Sequence, residues 1–164
     1  METIKIRALT EDDIPAVLDL LESVAAEERW IGTELPIDRA DRTKRWRTDY
    51  LGDRGCMFVA EVDGALVGTS GVEDDRGLVD LGMMVRDGYR RQGIGSQLLQ
   101  ASIDWARARG AHKITLQSWP ENQPAIALYE RFGFEREGHL RGHYKRRNGE
   151  IWDAVIMGLR LNET

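Results

Sequence analysis

The sequence predicts an α+β fold: a mixed central β-sheet flanked by helices, in the order β-α-α-β-β-β-α-β-α-β-β. Three observations carry that prediction. Short β-rich runs recur along the chain, and Asp63-Gly64 and Asn148-Gly149 join two pairs of them with the strongest short hairpin signals. Helical stripes of period 3.6 are interleaved with those runs. One run, Leu78–Val85, is mostly apolar, as a strand covered on both faces is.

Taken in order, Thr3–Ala8 alternates apolar and polar residues like a half-buried strand. Thr10 followed by Asp13 resembles a capping box and opens a helix that turns Ile14, Val17, Leu18, Leu20 and Leu21 inward. Trp30–Pro36 reads as a loop. Arg39–Leu51, charged but carrying Trp46 and Tyr50 at helical spacing, reads as a second helix over the domain. Cys56–Val62 and Ala65–Val72 form a hairpin, Asp74–Gly77 is a turn, and Leu78–Val85 is the apolar strand. A stripe of Ile94, Leu98, Leu99, Ile103 and Ala106 marks a helix over Ile94–Arg109, ended by Gly110. Lys113–Trp119 is a strand broken by Pro120. Asn122–Phe132 is a short helix, with Pro124 where its missing donor does no harm. Phe134–Arg146 and Glu150–Leu161 close the chain as a strand pair, with Asn148-Gly149 as a two-residue turn.

The 164 residues suit one domain, 1–164. A chain of that length buries about 70% of its unfolded surface, enough for a core without disulfides or a structural metal. With 41% apolar and 31% charged residues the chain is neither disordered nor membrane-spanning in composition. Cys56 is the single cysteine, which excludes an internal disulfide and a four-thiolate zinc site. His112, His139 and His143 are scattered, so no metal site is expected. METIKIRALTEDDIPAVLDLL has no basic leader followed by an apolar run, and no stretch of about 18 apolar residues occurs, so a cytoplasmic protein that avoids membranes is expected. A net charge of −5 argues against nucleic acid as the partner. The basic clusters Arg86–Arg91 and Arg141–Arg147 read as solvated faces, the first with a second reading.

That second reading lies in Leu81–Leu99, LGMMVRDGYRRQGIGSQLL. A buried strand ends, a polar turn follows, and Gly93-Ile94-Gly95 opens a long helix. Glycines there let backbone N–H groups approach an anion that the helix dipole favours, and Arg90 and Arg91 add positive charge: a phosphate cradle. The dinucleotide fingerprint fails because position 98 is Leu, and the Walker Gly-Lys-Ser/Thr is absent. The pattern present is Arg90-x-x-Gly93-x-Gly95, preceded by Tyr89.

This pattern resembles the pyrophosphate-binding signature Gln/Arg-x-x-Gly-x-Gly/Ala of the GNAT N-acetyltransferase superfamily. The opening IKIRALTEDDIPAVLDLL, the segment NQPAIALYERFGF (Asn122–Phe134) and the closing NGEIWDAVIMGLRL are similar to the family as well, the last to bacterial members acting on amino acids, antibiotics or protein N-termini. The resemblance implies acetyl-coenzyme A as co-substrate and a primary amine as acceptor. It implies that Arg90, Arg91, Gln92, Gly93, Ile94, Gly95 and Ser96 offer mainly backbone N–H groups to the coenzyme pyrophosphate. Met83, Met84 and Val85 would pair through their backbone with the pantetheine arm, in a splay between that strand and Lys113–Trp119. A backbone N–H there would stabilise the oxyanion as the amine attacks.

The resemblance places Asn122 near the cofactor arm, although the residue also reads as a helix N-cap. It makes Tyr129 the proton donor to the departing thiolate, against the alternative of a core tyrosine. An attacking amine must be neutral, and Asp80, Glu73 or a water chain are the open choices for its base. Acceptor contacts are expected from Trp30, Glu34, Trp46 and Tyr50 and from the hairpin around Arg141–Trp152, with core packing the alternative for Trp46. The leading reading is acetylation of a small amine, an amino acid or amino-acid-like antibiotic. Acetylation of a protein N-terminus or lysine, and a non-catalytic acyl-coenzyme A-binding module, stand beside it. Family habit suggests a homodimer through the C-terminal hairpin.

Overall fold

The computed structural model describes residues 3–161, so the outermost residues of the expected 1–164 domain lie outside it. Seven strands form one sheet in the order β1-β2-β3-β4-β5-β7-β6. They are β1 (Ile4–Ala8), β2 (Gly55–Val62), β3 (Ala65–Asp75), β4 (Leu78–Val85), β5 (Lys113–Ser118), β6 (Glu135–Lys145) and β7 (Ile151–Arg160). Every neighbouring pair is antiparallel except β4 and β5. The helices are α1 (Ile14–Ala25), α2 (Arg39–Tyr50), α3 (Ile94–Ala108) and α4 (Gln123–Arg131), so the expected element order holds.

Local chemistry sets the entry to α1. The Asp13 carboxylate accepts from the Thr10 main chain at 2.7 Å and the Thr10 hydroxyl at 3.0 Å, and Pro15 sits in the first turn. Arg7 grips Asp13 at 2.6 and 2.9 Å and Glu61 at 2.7 Å, which ties β1, β2 and the helix start together.

The sheet is covered on both faces. Val17, Leu18 and Leu21 of α1 and Trp46 of α2 pack on Met57 and Val59. On the other face Leu99, Ile103 and Ala106 of α3 and Ile126 of α4 meet Val72, Val79, Leu81, Ile114, Leu116 and Met157. Each such aliphatic side chain contributes about 1.5–3 kcal/mol on burial. One polar contact sits inside this layer: the Ser70 and Ser102 hydroxyls meet at 2.6 Å, and Ser102 also donates to the Leu98 carbonyl at 2.9 Å. Leaving either hydroxyl unpaired would be costly, so the pair fixes the rotation of α3 on β3 and with it the direction of the helix mouth.

Two local expectations are corrected. Strand β3 runs to Asp75 rather than Val72, because Glu73, Asp74 and Asp75 pair with Asp80, Val79 and Leu78. The expected Asp74–Gly77 turn shrinks to Arg76-Gly77, both left-handed (φ 52° and 92°) as a type I′ hairpin turn requires. Asn148-Gly149 does not form a two-residue turn: Arg146 N donates to Glu150 O at 2.8 Å, so Arg147, Asn148 and Gly149 all lie in the loop. The Asn148 side chain accepts from Glu150 N at 2.9 Å and donates to its carboxylate at 2.6 Å. That Asx-type bonding holds Asn148 out of the left-handed region, and only Gly149 (φ 92°) enters it.

Candidate active site

The parallel β4–β5 pairing ends early. It joins Leu78, Val79 and Asp80 to Lys113, Ile114 and Thr115, and beyond it both strands continue unpaired with each other. A cleft of about 1030 Å³ fills the resulting splay. Residues of both sheet faces line it, Leu81 and Met83 on the α3 side, Gly82, Met84 and Gln117 on the α1 side, so it passes through the sheet. On β4, Arg86 N donates to Val67 of β3 at 2.8 Å. Strand alternation therefore turns the main-chain groups of Gly82 and Met84 toward β3 and those of Met83 toward the gap.

The N-terminus of α3 faces the same cleft. Gly93 is its N-cap at φ 86°, ψ 0°, a left-handed conformation in which a side chain is strained. The first intrahelical bond is Gln97 N to Gly93 O, which leaves the N–H groups of Gly93, Ile94, Gly95 and Ser96 without helical partners. Gly93, Gly95, Ser96 and Arg91 line the cleft at this end. Gln92 and Ile94 do not: the Gln92 amide donates to Gly88 O at 3.1 Å, and the Ile94 side chain is buried under β2 and β3. For these two, only the main chain remains available to an anion.

Arg90 departs from the simple picture of a charge beside the mouth. Its guanidinium grips both Glu27 oxygens at 2.7 Å, its Nε donates to the Val85 carbonyl at 2.9 Å, and it lies 5.6 Å from the Trp30 ring centre. Arg90 holds the Glu27 carboxyl below the ordinary glutamate range. Its charge is thus paired with Glu27, which anchors the segment after α1, while Arg90 and Arg91 both line the cleft.

Asn122 caps α4, accepting from Ala125 N at 3.3 Å, while also lining the cleft. Tyr129 is 6% exposed, tilted against Phe134 at 5.7 Å, and lines the cleft. Burial pushes its hydroxyl up to about 12, so it holds its proton at neutral pH. Phe134 is core, and Phe132 packs against it.

Glu73 and Asp80 are cross-strand partners on the face opposite Leu81 and Met83, the side on which α1 and α2 pack. Both reach solvent, yet desolvation raises both carboxyls, with Asp49 raising Glu73 further. Burial and then the nearby Glu73 carboxylate push the Tyr50 hydroxyl up, and its ring lies against Gly71. Neither acid lines the cleft, but Gly82, the next β4 residue on their face, does, and a Cβ there would meet nothing within 4 Å.

The expected acceptor residues divide. Trp46 is core at 6% exposure and Tyr50 belongs to the Glu73 contact. Glu34 is held by the hairpin: Arg147 N donates to it at 3.0 Å and Arg146 Nε lies 3.6 Å away. Trp30 lines the cleft. The hairpin around Arg141–Trp152 builds a wall beside it, joined by Trp119, which the acceptor expectation did not name: Trp119 packs edge-on against Trp152 at 5.0 Å and Tyr144 at 5.5 Å, the Tyr144 hydroxyl donates to Gln117, and Arg146 sits 4.1 Å over Trp152. Aromatics on the last two strands near a strand-ending tryptophan were the available signal. Among the described residues no group of three or more metal-ligating side chains gathers, and no helix is long and apolar enough to cross a membrane.

The GNAT acetyltransferase family model matches residues 18–134. The L-methionine sulfoximine/L-methionine sulfone acetyltransferase of Pseudomonas aeruginosa is 30% identical over 158 residues, covering 93% of this chain and 91% of that protein. The ribosomal protein bS18-alanine N-acetyltransferase of Escherichia coli is 28% identical over 157 residues, covering 96% and 97%. Among solved structures, the ribosomal-protein-alanine N-acetyltransferase of Brucella melitensis superposes with a TM-score of 0.87 at 29% identity, covering 96% of this chain and 99% of that one. The chain therefore belongs to the GNAT acetyltransferase family, whose enzymes use acetyl-coenzyme A, and it is an acetyltransferase.

Proposed function

We propose that this GNAT acetyltransferase moves the acetyl group to the primary amine of a small, amino-acid-like molecule by direct attack. The observation that carries the reading is the continuity of one cleft from the α3 N-terminus, through the β4–β5 splay, to the aromatic wall at Trp119 and Tyr144. The unpartnered N–H groups of Gly93, Ile94, Gly95 and Ser96 suit a pyrophosphate. The free edge of β4 at Met83 suits the amide-bearing pantetheine arm, which would add there like a strand. A main-chain N–H on that edge takes the charge that develops on the thioester oxygen.

The acceptor enters from the α1–α2 side, where open space beside Gly82 leads toward Asp80. Asp80, raised by desolvation, removes the amine proton through water in that space, and the protonated Tyr129 hydroxyl supplies one to the departing thiolate.

The small-acceptor reading is supported by a strap. Arg146 donates to Gly32 O at 3.0 Å and Arg147 to Leu35 O at 2.6 Å, so the α1–α2 loop is tied to the β6–β7 hairpin across the end that a peptide would need open. The bS18-alanine relatives keep a protein N-terminus as the second reading. The test is calorimetric titration with acetyl-coenzyme A, then thiol release against free amino acids, polyamines and an N-terminal alanine peptide. Binding with release on amino acids is expected. Release on the peptide alone selects the second reading, and failure to bind acetyl-coenzyme A removes both.

A further inference from the structure

We propose that Arg146 reads a carboxylate on the acceptor, which makes it the residue that selects a zwitterionic amino acid over a peptide N-terminus. The inference rests on the acetyltransferase reading above and names what the acceptor end of that cleft recognises.

Arg146 is 8% exposed, a rare state for an arginine whose pairing is incomplete. Its guanidinium lies 4.1 Å from the Trp152 ring centre and 5.7 Å from that of Trp119, which fixes its plane. One donor goes to Gly32 O at 3.0 Å. The Nε to Glu34 distance of 3.6 Å is too long for a hydrogen bond. Glu34 is also shared: Arg147 N donates to it at 3.0 Å, and the Arg147 guanidinium stands 3.9 Å away. The exposed Glu150 also feels the Arg146 charge, so two carboxylates stand near the two guanidiniums, but neither is hydrogen-bonded to that of Arg146.

A guanidinium carries five donors in a rigid fork, and Gly32 takes one of those of Arg146. Among the described residues, Arg86 Nε is the only fully buried side-chain nitrogen or oxygen without a partner. The spare donors of Arg146 are therefore not sealed in apolar packing, and the cleft is the space this side chain lines. A stacked, partly desolvated fork with an open edge matches a carboxylate in two-point contact and matches a neutral amide poorly. The coenzyme phosphates are served elsewhere, at the α3 mouth. An acceptor with its amine at the splay and its anion at Arg146 carries both groups, as a free amino acid does. A residue at the start of a polypeptide has an amide where the second group should be.

The test uses the full chain and matched acceptors: L-methionine sulfone, L-methionine and L-alanine, each beside its carboxamide. Wild type, R146K and R146M are first titrated with acetyl-coenzyme A and melted, and kcat and KM then follow from thiol release. Wild type is expected to favour acid over carboxamide by about tenfold or more in kcat/KM. R146M should lose that preference through KM, with acetyl-coenzyme A affinity retained, and R146K should keep part of it. A residue that only pins the Gly32 loop would raise KM equally for acid and carboxamide and lower Tm, leaving the ratio unmoved, and that result overturns the proposal. So does a carboxamide used as well as its acid by wild type, or no turnover of any free amino acid. Should R146M fail to fold, an unchanged ratio in R146K is the refuting result. A wild type that does not bind acetyl-coenzyme A would instead bring down the underlying reading, and the calorimetry tells the two failures apart.

Discussion

Replacing Gly93 with alanine isolates the backbone of the cradle from its bulk. A Cβ at this position meets nothing within 4 Å, so no clash contributes, and the effect comes from φ 86°, ψ 0° alone. An L-residue held there costs about 1–2 kcal/mol. Loss of glycine freedom in the unfolded chain returns about 0.4–1 kcal/mol. The net, on the order of 1 kcal/mol, corresponds to a Tm lower by roughly 2–4 °C for a chain of this size. The helix can escape that strain by leaving the left-handed region, but then the cap rotates and its N–H groups turn off the pyrophosphate. One hydrogen bond to a charged group is worth about 1.5–3 kcal/mol, so acetyl-coenzyme A affinity would fall by about 10- to 150-fold. Strain retained shows in Tm, and strain released shows in Kd. Gly95→Ala is the contrasting variant: its Cβ would lie 3.2 Å from Leu128 Cδ2 and 3.7 Å from Met83 Cε, both cleft-lining side chains. There the gain in helix propensity, about 1 kcal/mol, offsets the crowding, so Tm holds while the coenzyme loses room and affinity. Thermal melts by circular dichroism and calorimetric titration read both variants. Gly93→Ala with wild-type Tm and wild-type Kd would refute the reasoning.

Three further outcomes are expected. Tyr129→Phe should lower kcat by on the order of 10²-fold while leaving acetyl-coenzyme A affinity near wild type; unchanged turnover would leave Tyr129 a packing residue. A base acts only when ionised, so on the proposed reading the raised pKa of Asp80 should appear as an acid limb on kcat/KM, activity falling as pH drops through it. Asp80→Asn should erase that limb and cost about 10²-fold, whereas a limb persisting in the variant assigns it to another group. Glu27 is held below its ordinary range by Arg90, so the pair stabilises the fold above the unfolded glutamate pKa of about 4.3 and ceases to do so as pH falls through the lower folded value. Glu27→Gln should melt below wild type at pH 7, by the equivalent of about 1–2 kcal/mol for a part-buried pair. The two should converge in acid, and equal melting at pH 7 would show that the clamp contributes nothing.

What the sequence disclosed and what it withheld divide along contact range. The strands, the α3 stripe and the glycines at its mouth were legible because each is signalled within a few residues, by alternation, by 3.6 periodicity or by a residue type that a backbone conformation demands. The Asn148-Gly149 turn failed at that same range, because Asn148 bonds Glu150 two positions on and stays out of the left-handed region. The stretch Asp74–Gly77 looked like a turn, but pairing of Asp74 and Asp75 with Val79 and Leu78 outweighed the low strand propensity of the two aspartates. The two arginine clusters show why charge is the hardest pattern to read along a chain. Arg90 is fixed by Glu27, 63 positions away, and Arg146 by Gly32, 114 positions away. No local signal distinguishes an arginine on a solvated face from one that is caged. Both anchors nonetheless fall on one segment, the connection between α1 and α2. Glu27 ties it to the turn before the cradle, and Gly32 and Glu34 tie it to the hairpin that carries the aromatic wall. A segment pinned at both ends of one cleft sets how far apart those ends stand. On the proposed reading, two arginine contacts hold the distance from a pyrophosphate at the α3 mouth to an acceptor's anion at Arg146, and loosening either should be felt at the other.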